Sequence, residues 1–98
     1  MFFGISLFKV EGNSMSPTVP DQSFVLAIKT AKIIATKSLL IINHISYGKI
    51  LKKLVKIDDN KKLWFEGENL SSVSKEMIGP VKSENVIGKV IFVIKSRI

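Results

Sequence analysis

The chain has no cysteine and only one histidine, one tryptophan and one tyrosine among its 98 residues. Without thiols there is no disulfide framework and no thiolate metal site, so nothing argues for an oxidising compartment. His44 alone cannot supply three-ligand zinc chemistry, and no metal or cofactor is expected. The same scarcity leaves lysine or a carboxylate as the available general base. Tyr47 and Trp64, even with Phe65, make a thin platform for stacking bases, so no nucleic-acid partner is expected. Long apolar runs are missing too. Met1 to Phe8 is far too short to span a bilayer and lacks the charged start and cleavage site of a signal peptide. Ile33 to Ile45 is broken by Thr36, Lys37, Ser38, Asn43 and His44, which leaves no transmembrane segment.

Acidic residues are outnumbered, 8 against 15 Lys and Arg, for a net charge of +7. That balance suits an anionic partner, but the lysines are spread along the chain and read as a solvated surface. Ninety-eight residues make one domain spanning 1–98, with a single core.

β-Branched and aromatic residues dominate, turn residues recur at short intervals, and no stretch keeps a helical period. The expected class is therefore mostly β, with strands near 4–11, 23–30, 38–45, 49–57, 61–66 and 86–95. Tyr47-Gly48 and Asp58-Asp59-Asn60-Lys61 read as the turns of two hairpins that share the strand 49–57.

Two stretches carry chemistry. Ile5, Leu7 and Val10 alternate into Gly12-Asn13, a pair tolerant of positive φ, so the chain bends just before Ser14. A hydroxyl at a strand end, beside free backbone N–H groups at Ser14 and Met15, supplies a nucleophile and an oxyanion site. The second stretch is Lys49 to Ile57, where alternation sends Lys52 and Lys53 to opposite faces. One of them must share a face with core residues, and burial lowers a lysine pKa far enough to make the amine a base. Leu51, Lys53, Val55 and Ile57 form the more apolar face, so the pattern alone favours Lys53.

Gly12-Asn13-Ser14-Met15-Ser16-Pro17-Thr18, followed by Asp21 and an apolar strand, resembles the active-site box of the Ser-Lys peptidases, the superfamily of type I signal peptidases and SOS-type self-cleaving repressors. The resemblance makes Ser14 the nucleophile. It aligns Leu51-Lys52-Lys53-Leu54-Val55 with the family's base segment, which assigns the base to Lys52 and keeps Lys53 as the alternative. It implies a compact β-fold of hairpins with a partly closed barrel, and it makes His44 structural.

Three departures stand out. Pro20-Asp21 replaces the usual Gly-Asp, and Gly12 brings no side-chain oxyanion donor. Ser72-Val73-Ser74-Lys75-Glu76 stands where signal peptidases have Ser-x-Asp-Ser-Arg, so Ser72 or Ser74 is left to support the dyad.

The expected activity is a serine endopeptidase acting through an acyl-enzyme on an extended peptide or precursor in trans. The alternative is an impaired peptide-binding or dimerisation module of the same fold. The expected location is cytoplasmic or membrane-peripheral without an anchor of its own, which leaves a membrane-associated partner and a homodimer open.

Overall fold

A computed structural model describes residues 4–11, 15, 18–29, 36–67 and 78–95. Its strands are β1 (Ile5–Lys9), β2 (Phe24–Ile28), β3 (Leu39–His44), β4 (Gly48–Ile57), β5 (Leu63–Glu66) and β6 (Val86–Ile94). They form one antiparallel sheet in the order β1-β2-β6-β3-β4-β5, and a 3-10 turn at Ser83–Asn85 leads into β6. The mostly β expectation holds. Both expected hairpins are present, with β4 pairing β3 on one side and β5 on the other.

The sheet is not closed, but it curls. Phe8 of β1 and Lys49 of β4 project from the same face, four strand intervals or about 19 Å apart on a flat sheet. Here the Lys49 Nζ sits 5.9 Å from the centre of the Phe8 ring, so that face is concave.

Each face has its own core, because register partners project to the same side. On the concave face Met15, Val19, Val25, Ala27 and Ile41 are buried together, with Phe8, Leu51 and Val90 packed around them. On the convex face Leu40, Ile42, Leu54 and Phe65 are buried with Ile78 and Val81, from the chain that follows the 68–77 segment. Leu63 and Val81 exchange two backbone hydrogen bonds of 2.8 Å, which seat that chain beside β5. β3 and β4 are therefore covered on both sides through their middle. The register breaks between Leu26 and Ala27, between Ile41 and Ile42, and between Leu54 and Lys56 add the local bends that curl the sheet.

Candidate functional site

The candidate base lies in the middle of β4. Lys52 is 2% exposed, whereas Lys53 is half-buried, so the more apolar alternation does not mark the more buried lysine. The cause is the two-sided packing. Lys52 and Leu54 share the convex face, where Leu40 and Leu54 are fully buried. Lys53 lies on the concave side, in register with Leu39 and Glu66. Burial among apolar neighbours pushes the Lys52 amine below its ordinary pKa of 10.5, because the charged form loses hydration.

Lys52 also stands where β4 loses a neighbour. Among the described residues, β5 pairs with β4 from Lys53 onward, while Gly48 to Lys52 bond to β3 alone. Among the described residues β1 likewise pairs only with β2. The curl thus brings two unpaired strand edges toward each other, with Phe8 and Lys49 between them.

Ser14, Ser72 and Ser74 lie outside the described residues, as do Gly12 and Lys75. The chain on both sides of Ser14 is held firmly. Val10 N–H donates to Ser23 O at 2.7 Å and Gln22 N–H donates to Val10 O at 2.8 Å, extending the β1–β2 ladder by one step. Gln22 takes a φ of 71°, the left-handed backbone that turns the chain into β2. On the other side of the serine, Met15 is buried in the concave core and its carbonyl accepts the Val19 N–H at 2.7 Å.

His44 fastens the chain that follows the 68–77 segment. Its Nδ1 accepts the backbone N–H groups of Ser46 and Tyr47, at 3.0 and 3.2 Å, which fixes the proton on Nε2. Nε2 then donates to Ile78 O at 2.7 Å, and the Tyr47 ring lies against the imidazole with centroids 4.9 Å apart. One side chain closes the β3–β4 turn and pins the residue that emerges from the segment carrying Ser72 and Ser74.

Two cations take positions that local sequence pattern does not reveal. Lys49 is placed on β1 only by the curl, which no local pattern encodes. Lys89 shares a cross-strand row with Leu40 and Lys52, and only the order β6-β3-β4 reveals that neighbourhood. An open cavity of about 430 Å³ lies at the concave mouth beside Phe8, where Ser6, Lys29, Asn43 and Glu84 contribute polar groups. Among the described residues no cluster of histidine, cysteine or carboxylates could hold a metal. Nor, among them, is any helix long and apolar enough to cross a membrane.

Lys52 thus presents a buried amine with a lowered pKa on β4, at the end of the stretch Gly48 to Lys52 that, among the described residues, pairs with β3 alone. Residues 4–91 match the Peptidase S24-like family, and the chain belongs to that family, within the Ser-Lys peptidase superfamily. No curated protein matches the chain.

Proposed function

We propose that the chain is a Ser-Lys endopeptidase in which Lys52 activates Ser14. The neutral Lys52 amine takes the Ser14 hydroxyl proton as Oγ attacks the scissile carbonyl. Backbone N–H groups at Ser14 and Met15 receive the oxyanion. Lys52 then gives the proton to the leaving amine, which departs as the C–N bond breaks and leaves an acyl ester on Ser14. Water, deprotonated by Lys52, hydrolyses that ester and restores both side chains. Ser72 or Ser74 donates or accepts the hydrogen bond that orients the amine, the role left open by Lys75 at the family's usual serine position.

The observation that carries this reading is the burial of Lys52, 2% exposed, in a member of a peptidase family. Burial disfavours the ammonium and favours the neutral amine that a general base requires. The substrate is an extended segment in trans, laid along the edges of β1 and of Gly48 to Lys52 that no described strand pairs, so that its backbone completes both ladders. Cleavage of unstructured polypeptides by the wild-type chain, lost in both Ser14→Ala and Lys52→Ala, tests the mechanism.

A second reading rests on Ser72-Val73-Ser74-Lys75-Glu76, which lacks the family's Asp/Arg pair. There the same groove holds a peptide or a second copy without cutting it. Retention of an intact peptide by the wild type, with no turnover over hours, would select that reading.

A further inference from the structure

We infer that the convex face of β1, β2 and β6 docks on an anionic lipid surface. The register places three cross-strand rows on this face: Ile5, Ile28 and Lys89; Leu7, Leu26 and Phe92; Lys9, Phe24 and Ile94. Seven of these nine side chains are apolar, and no described element covers them. Leu7 is 58% exposed, Phe92 57% and Ile5 53%, and Phe24 and Ile94 are exposed as well. Scattered apolar residues are ordinary on a surface, but contiguous rows across three strands mark an interaction site.

Charge selects the occupant. β1, β2 and β6 contain no Asp or Glu, and their only charged residues are Lys9 and Lys89, both on this face. The chain as a whole carries +7. A symmetric contact with a second copy would set this lysine-bearing face against itself. A bilayer with anionic headgroups instead offers acyl chains to the apolar rows and negative charge to the lysines, the two contributions that hold peripheral proteins. The face is rigid sheet on the opposite side from the concave core, so docking needs no rearrangement. This inference is independent of the peptidase reading, since it uses neither Ser14 nor Lys52.

The test is flotation of the full chain with vesicles of phosphatidylcholine and phosphatidylglycerol at 3:1, against phosphatidylcholine alone, in low and high salt. The wild type is expected to float with the anionic vesicles and to be released by salt. Leu7→Gln with Phe92→Gln, and separately Lys9→Gln with Lys89→Gln, should each reduce partitioning about tenfold or more. Circular dichroism confirms that each variant is folded, and the lysine pair leaves the apolar rows untouched should the other pair not fold. Failure of the wild type to float overturns the inference, as does wild-type binding by folded variants. A wild-type dimer in light scattering that Leu7→Gln with Phe92→Gln dissociates would overturn it in favour of a second copy.

Discussion

Leu40 of β3 and Lys52 of β4 stand directly opposite each other in the sheet, and both are buried, at 0% and 2% exposure. A leucine is at home there, whereas a lysine must surrender either its hydration or its proton.

This pairing makes stability depend on pH in a defined direction. The folded Lys52 pKa is below 10.5, so between that lowered value and 10.5 the unfolded chain binds more protons than the folded one. Stability therefore rises with pH through this window and is weakened below it. Chemical denaturation at a series of pH values should show that rise for the wild type and a smaller one for Lys52→Met. At neutral pH Lys52→Met should be at least as stable as the wild type. An identical pH slope for the two proteins would contradict the burial of the amine.

Asp58 organises the β4–β5 turn. Its Oδ1 accepts N–H groups from Asn60 and Lys62, at 2.9 and 3.0 Å, and its Oδ2 accepts the Trp64 indole N–H at 3.0 Å. The Trp64 bond, followed by that from Lys62, holds the carboxyl below its ordinary pKa of 3.8. The stabilisation is present above that value and fades as pH falls through the lowered pKa. Asp58→Asn turns an amide toward the indole donor and should flatten this acid-dependent loss. Trp64 is the only tryptophan, so its emission during acid titration reports the turn directly.

His44 makes three hydrogen bonds across the β3–β4 turn and to Ile78. His44→Ala should cost about 1–3 kcal/mol. It should also raise amide hydrogen exchange at Ser46, Tyr47 and Val81 more than in β1 or β2. Exchange that increases uniformly across the sheet would argue against a local latch.

Gly88 marks a close approach of β6 to β2. A Cβ there would lie 3.1 Å from Ile28 O and 3.2 Å from the Ala27 Cβ. Gly88→Ala should therefore destabilise the fold by about 1–3 kcal/mol, despite the better strand propensity of alanine. Thermal unfolding of the variant at or above the wild-type midpoint would contradict this packing.

Much of the sheet was legible because its turns are spelled locally. Tyr47-Gly48 and Asp58 to Lys61 bound β4 in the sequence, and Gly48 and Lys61 take the positive φ those turns require, 71° and 63°. What alternation could not rank was Lys52 against Lys53. That ranking assumes one buried face, whereas β4 has Leu40 and Leu54 packed on one side and Leu51 against the concave core on the other. Resemblance pointed to Lys52 through its neighbours in sequence, and the covering of that face comes from Ile78 and Val81, more than twenty residues further on. The partnership of Phe8 with Lys49 and the row joining Lys89 to Lys52 were beyond reach, since both depend on strand order and curl. Ser72 and Ser74 lie outside the described residues, so their support of the amine rests on the resemblance.

The Ser14–Lys52 mechanism is tested by the pH dependence of peptide cleavage by the wild type, Ser14→Ala and Lys52→Ala, with products identified by mass spectrometry. Wild-type kcat/KM should rise with pH and level off below the 10.5 of an ordinary lysine, as the buried amine loses its proton. Each variant should lose at least about a thousandfold in rate while keeping its native circular dichroism. Undiminished cleavage by either variant would contradict the Ser14–Lys52 mechanism outright.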